Sequence, residues 1–184
     1  MTCIIGVVEG AQVWVGGDSA LSNMSTHEIV TAANQKVFRV GDLLLGVSGS
    51  PRVCDVLRYS LEPPRHPKRM EAGRYIRTLF MDAMRDTLKK AGVLRVQAGI
   101  EDCDANILIG YRGRLFTVED DFHAHETVDD YVSIGSGSAV ANGALSVSQG
   151  VAPRKRVIAA LAASERYTAS VRRPFYVLTL EGKA

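Results

Sequence analysis

Thr2-Cys3-Ile4-Ile5-Gly6-Val7-Val8 follows the initiator methionine. The run is short, apolar and rich in β-branched residues, so it reads as a strand. What sets it apart is that it starts at a threonine. Residue 2 is small, and ordinary cytosolic processing is expected to remove Met1. Thr2 would then carry a free α-amine beside its own hydroxyl. Such an amine has an ordinary pKa near ~8 and can serve as base for the hydroxyl. A Met-Thr start is common, and Thr2 read alone is the first residue of an edge strand. The rest of the chain has to supply the other parts of a site.

Working outward, residues 12–17 form a second strand, joined to the first through Glu9-Gly10-Ala11-Gln12. A loop with Asn, Ser and Thr is expected over 19–33. Lys36–Val40 and Leu43–Val47 make a second hairpin around Gly41-Asp42. Ser48-Gly49-Ser50-Pro51 ends that strand, and Pro51 suits the first position of a helix over 51–61. Residues 63–69 form a basic, proline-containing connector. From Met70 to Ala91, Ile76, Leu79, Phe80, Ala83, Met84 and Leu88 recur at helical spacing, and Gly92 is a plausible stop. A third hairpin joins Ala105–Tyr111 to Arg114–Val118 around Arg112-Gly113. Tyr131–Ile134 is a short strand. Helices follow over 138–148 and 153–166, then a last strand over Phe175–Leu180.

Helices therefore come in pairs between groups of antiparallel strands. Two sheets packed face to face, with helices on each outer side, would bury every apolar face. The expectation is an α+β fold in one domain over residues 1–184. The 184 residues are 46% hydrophobic and 23% charged, an ordinary globular balance. A net charge of +2 argues against nucleic acid or an anionic membrane as main partner. No apolar run approaches the ~20 residues that span a bilayer, and no signal-peptide pattern opens the chain. Three cysteines without a CxxC pair fit a reducing, cytoplasmic setting rather than a disulfide framework.

In this order and spacing the chain resembles a proteasome β-type subunit and the related bacterial HslV-type peptidase. The likeness spans nearly the whole length. It rests on Thr2 and its strand, Val15-Gly16-Gly17-Asp18-Ser19, Gln35-Lys36-Val37, Leu45-Gly46-Val47-Ser48-Gly49-Ser50, Ile134-Gly135-Ser136-Gly137-Ser138 and Glu165-Arg166-Tyr167-Thr168. The resemblance implies a four-layer αββα sandwich and an N-terminal threonine peptidase. Thr2 would supply nucleophile and base. Lys36 would lower the amine pKa and favour a developing alkoxide. Asp18 would keep Lys36 charged and oriented. Gly49 would offer an oxyanion-binding N–H, and losing such a donor costs roughly 3 kcal/mol. Ser136, supported by Glu165 and Thr168, would sit at the amine. Leu21, Ser22 and Val47 would line the substrate pocket, Val47 leaving room for a medium or large apolar group. The resemblance also implies assembly with itself in a ring or stacked rings, an ATP-dependent unfoldase, and unfolded protein or peptide substrates. It implies no cofactor.

The chain departs from the family pattern in several places. Gly49-Ser50 stands where a glycine pair is usual, and Ala20 replaces a longer polar residue. The loop before Lys36 is slightly longer than usual. Glu165 replaces a shorter acid or a cysteine, and Arg172-Arg173 replaces smaller residues. Plainer readings exist for single positions: Asp18 as a turn residue, Lys36 as a solvated charge, Gly135–Ser138 as a helix cap. A phosphate site at Gly135–Ser138 lacks the Lys-Ser/Thr of a P-loop, and Val140 occupies the place of a third fingerprint glycine. His123 and His125 lack a third metal ligand at recognisable spacing. Cys3 reads as a small buried residue. A catalytically inactive structural ring subunit, or an amidohydrolase acting on small amides with the same nucleophile, are the alternatives.

Overall fold

The computed structural model describes residues 2–23, 25, 26 and 28–182. Met1, and with it the expected processing step, lies outside the described residues. The first sheet has the order β12-β1-β2-β13, from β1 (Ile4–Glu9), β2 (Gln12–Gly17), β12 (Tyr131–Ile134) and β13 (Tyr176–Glu181). The second has the order β11-β10-β9-β6-β5. Its strands are β5 (Val37–Val40), β6 (Leu43–Gly49), β9 (Ala105–Tyr111), β10 (Arg114–Val118) and β11 (Ala124–Glu126). Every pairing within the two sheets is antiparallel.

The alternation of side chains along each strand divides the interior into three apolar layers. Ile4, Val13, Val15, Leu44, Leu108 and Leu115 meet between the two sheets. On the outer side of the first sheet, Cys3, Ile5 and Val7 pack against α4 (Ser138–Ser146) and α5 (Pro153–Tyr167) through Ala141, Leu145, Val157 and Leu161. On the outer side of the second, Leu45, Val47, Ile107, Ile109 and Phe116 pack against α1 (Pro51–Ser60) and α3 (Met81–Lys90) through Val53, Val56, Leu57, Met84 and Leu88. The result is the αββα sandwich. Burying one such Leu, Ile or Phe contributes about 1.5–3 kcal/mol. The sheets approach closely enough that a Cβ on Gly46 would lie 2.3 Å from Ile4 Cγ2.

Three segments differ from the sequence reading. The expected loop over 19–33 holds a two-stranded ribbon, β3 (Ala20–Asn23) with β4 (Glu28–Thr31). The stretch after Gly92 holds another, β7 (Arg95–Gln97) with β8 (Ile100–Asp102). Both ribbons are largely exposed, so neither shows the alternating apolar pattern that burial imposes. The helix expected over 70–91 is α2 (Ala72–Tyr75) and α3 joined by a π-helical turn at Ile76–Phe80. Its N-terminus is capped by Glu71, whose carboxylate accepts from the Gly73 and Arg74 N–H groups. Among the described residues no helix is long and apolar enough to cross a membrane.

Candidate active site

The site is built where β1, β2, β5 and β6 end on one side of the sandwich. Thr2, 3% exposed, precedes β1. Asp18 follows β2 and is fully buried, a costly place for a carboxylate unless its oxygens are satisfied. They are. Oδ1 accepts from Lys36 Nζ at 2.8 Å and from the Cys3 N–H at 3.0 Å. Oδ2 accepts from the Ala20 N–H at 2.9 Å and the Arg172 N–H at 3.3 Å. Asp18 thus clamps the residue after Thr2, the lysine and the last loop. Ser19 strengthens the link to that loop, its N–H donating to Arg172 O and its hydroxyl to Pro174 O.

Lys36 immediately precedes β5, and its carbonyl accepts from the Val47 N–H, which fixes it beside β6. Its side chain is 13% exposed. Burial lowers its pKa below the ordinary 10.5, and the opposing attraction of Asp18 only partly restores it. An ammonium held there is poorly hydrated, so its field acts strongly on neighbouring groups.

On the opposite side of Thr2, the Thr2 N–H donates to Ser136 Oγ at 3.1 Å. Ser136 Oγ also lies 3.3 Å from Thr2 O and 2.9 Å from Ser170 Oγ. One arrangement satisfies all three contacts: Ser136 accepts from Thr2 N and from the Ser170 hydroxyl, and donates to Thr2 O. The Gly137 N–H donates to Thr2 O as well. Gly135 and Gly137, which place this loop, lead into α4.

Gly49 ends β6 at φ +115°, in the left-handed region, and a Cβ there would lie 2.4 Å from Asp104 O. Only glycine fits. Thr2, Lys36, Val47 and Gly49 share a cleft of about 160 Å³ with Leu21 and Ser22 of β3. The cleft therefore gathers five of the ten residues singled out as site residues, besides Thr2 itself.

Glu165 and Thr168 are placed otherwise. Glu165 turns to Arg173, accepting from its backbone N–H at 2.9 Å and its Nε at 2.7 Å. Partial burial alone would raise the Glu165 pKa, but these donors outweigh it and hold the carboxyl below its ordinary value. Thr168 caps the end of α5, its N–H donating to Ser164 O. The hydroxyl on Ser136 belongs to Ser170, buried two residues further on. The sequence signal for Ser170 was a lone hydroxyl between Ala169 and Val171, just ahead of the last strand. Away from the cleft, His125 Nε2 contacts Thr117 Oγ1 at 2.6 Å. Among the described residues no three His, Cys, Asp or Glu side chains gather as metal ligands. Cys3 is buried with its thiol pKa pushed up by burial to about 11.

No protein-family profile and no curated protein matches the chain. Solved structures do. BPH from Thiobacillus denitrificans, in complex with epoxomicin, superposes with a TM-score of 0.81 over 99% of this chain and 100% of that one, at 17% identity. HslV from Trypanosoma brucei gives 0.66 over 97% and 99%, at 16% identity. Anbu, an ancestral β-subunit from Yersinia bercovieri, gives 0.68 over 97% and 81%, at 16% identity. The fold is that of the proteasome-type N-terminal nucleophile hydrolases. In that proteasome-type frame, the buried Asp18–Lys36 pair and the Ser136–Ser170 pair flank the start of β1 from two sides.

Proposed function

We propose that this chain is a threonine-type peptidase subunit that cleaves peptide bonds through an acyl-enzyme on Thr2, once Met1 has been removed. The observation that carries this reading is the buried Asp18, which holds Lys36 Nζ and the backbone of Cys3 on one carboxylate oxygen. A lysine and its counter-ion are thereby fixed one residue from the threonine. A turn or solvated role for Asp18 or Lys36 does not need this burial.

In the proposed cycle, the freed α-amine of Thr2 takes the proton from Thr2 Oγ1 as that oxygen attacks the scissile carbonyl. The tetrahedral oxyanion is met by the Gly49 N–H. The C–N bond then breaks, the ammonium returns its proton to the leaving amine, and an ester remains on Thr2. Water, deprotonated by the same amine, hydrolyses the ester and restores the hydroxyl. Lys36 keeps the amine neutral by like-charge repulsion and stabilises the alkoxide. Ser136, backed by Ser170, orients the amine.

An N-terminal peptidase of this kind is hazardous if open to the cytoplasm, which gives a physical reason for assembly with itself in rings around an inner chamber. The same reading places the protein in the cytoplasm, served by an ATP-dependent unfoldase that delivers unfolded chains. The test is peptide cleavage by the wild type against Thr2→Ala, with intact mass reporting Met1 removal. Wild-type cleavage lost in Thr2→Ala, and a threonine-directed electrophile that adds to the wild type alone, are the expected results. Undiminished cleavage in Thr2→Ala overturns the mechanism.

A further inference from the structure

Ser19 takes no part in the proposed chemistry, yet separate parts of the site meet on it. It is fully buried between β2 and β3. Its N–H donates to Arg172 O at 2.9 Å, and its own carbonyl accepts from the Ala32 N–H at 2.8 Å. Its hydroxyl donates to Pro174 O at 2.6 Å, at the short end of the range for such bonds. One residue therefore ties the loop over 170–174 to the β3–β4 ribbon. The ribbon side is a wall of the cleft, through Ala20, Leu21, Ser22 and Ala32. The loop side carries Ser170, whose hydroxyl meets Ser136 Oγ at 2.9 Å.

The loop has few other anchors. Arg172, Arg173 and Pro174 are exposed, and water competes with the Glu165–Arg173 contact. The Arg172 N–H reaches Asp18 at 3.3 Å, a long bond beside the two that Ser19 makes. Ala20, the next residue along, has no polar side-chain atom to share the task. Removing the Ser19 hydroxyl would leave Pro174 O without its buried donor and free that end of the loop to turn towards water.

Resting on the peptidase reading of Thr2, we infer that Ser19 is a positioning residue for the Thr2 amine. Ser19 fixes Arg172 and Pro174, the loop delivers Ser170 to Ser136, and Ser136 holds the Thr2 nitrogen. The sign of the effect follows from the lone pairs of Ser136. A hydroxyl oxygen has two. One takes the Thr2 N–H and the other the Ser170 proton. Sharing its oxygen with Ser170 makes Ser136 a weaker acceptor for an ammonium, so the amine stays neutral, as a base must. Without the Ser19 hydroxyl Ser170 withdraws, and the full acceptor strength of Ser136 favours the protonated amine.

The experiment uses the full chain, with intact mass verifying that Met1 is gone, as wild type, Ser19→Ala, Ser170→Ala and the double variant. A threonine-directed electrophile counts active sites, so unfolded protein does not enter the rates. A fluorogenic peptide then gives kcat and KM per site across pH. Ser19→Ala should lower kcat about five- to tenfold with KM little changed, and move the acid limb of the kcat/KM profile up by about half a pH unit. Ser19→Cys, close in size but a weak donor, should act in the same direction. The double variant should be no slower than the slower single one, because both substitutions remove the same contact. An unmoved acid limb in both Ser19 variants, or losses that multiply in the double variant, overturns the assignment and leaves the peptidase reading standing. If the wild type does not cleave, the peptidase reading falls, and the Thr2 amine pKa is read instead from the pH dependence of its acylation by acetic anhydride, followed by mass. A higher value in Ser19→Ala than in wild type then keeps the positioning role, and an equal value ends it. A retained Met1 overturns both.

Discussion

Asp18 and Glu165 are two acids from the same set of candidate site residues, and each holds a cation, yet their surroundings differ in kind. Asp18 is fully buried, with four donors from four different parts of the chain: residues 3, 20, 36 and 172. Glu165 is 21% exposed and both its donors belong to Arg173, whose side chain is 67% exposed. The first carboxylate organises a site, because removing it would orphan several buried groups at once. The second fastens a loop to the end of a helix, and water can replace it. Residue type and nearness to a motif do not separate the two, whereas burial and the sequence distance of the partners do.

The sharpest way to break this contrast is Asp18→Ala. It strands a buried ammonium and three backbone N–H groups, so unfolding stability should fall by about 3–5 kcal/mol, read by urea denaturation, and peptide cleavage should vanish. Lys36→Met should separate structure from chemistry. Asp18 keeps its three backbone donors, so the stability loss should be smaller, about 1–2 kcal/mol, while cleavage falls as far as in Asp18→Ala. A stability loss in Lys36→Met as large as that of Asp18→Ala would mean the lysine, not the carboxylate, organises the site.

The lysine also makes a pH prediction. Its folded pKa lies below the unfolded value near 10.5. As pH rises through that window the folded chain loses the proton first, so the unfolded state holds more protons and stability rises with pH. Activity should fall over the same window if the ammonium is needed. Opposite slopes, measured by denaturation and by kcat/KM on one preparation, are the expected outcome.

Ser170→Ala comes next. It removes the hydroxyl from Ser136 and should cost about 1 kcal/mol, with kcat falling more than KM changes and with Thr168→Ala nearly silent. The smallest effect belongs to Glu165→Gln, about 0.5 kcal/mol. Its sign follows from the lowered folded pKa. The stability difference from wild type should be full above the unfolded value of 4.5 and disappear as pH falls through the folded one.

The two sheets and the paired helices were legible because burial on both sides of each strand leaves runs such as Leu43-Leu44-Leu45 that cannot be solvated. The Asp18–Lys36 pairing was legible only through resemblance, since 18 residues and two strands separate the partners. Ser170 was missed because Glu165-Arg166-Tyr167-Thr168 reads as one motif. In fact α5 ends at Tyr167, and a turn at Ala169–Ser170, closed by the Val171 N–H on Thr168 O, brings Ser170 to Ser136. The β3–β4 ribbon escaped because Glu28, Val30 and Thr31 are exposed, so backbone pairing rather than a buried face defines it.

The hydrogen bond from the Arg172 N–H to Asp18 spans 154 positions of the chain. A ribosome making this protein releases Thr2, Asp18 and Lys36 long before residues 170–174 exist. Throughout that interval the carboxylate lacks one donor, Ser136 lacks Ser170, and Ser19 lacks the loop it latches. Closing so long a loop is slow compared with forming local hairpins. The site is therefore finished last, and on the proposed peptidase reading a nascent chain emerging among other unfolded chains carries the threonine without the groups that would activate it.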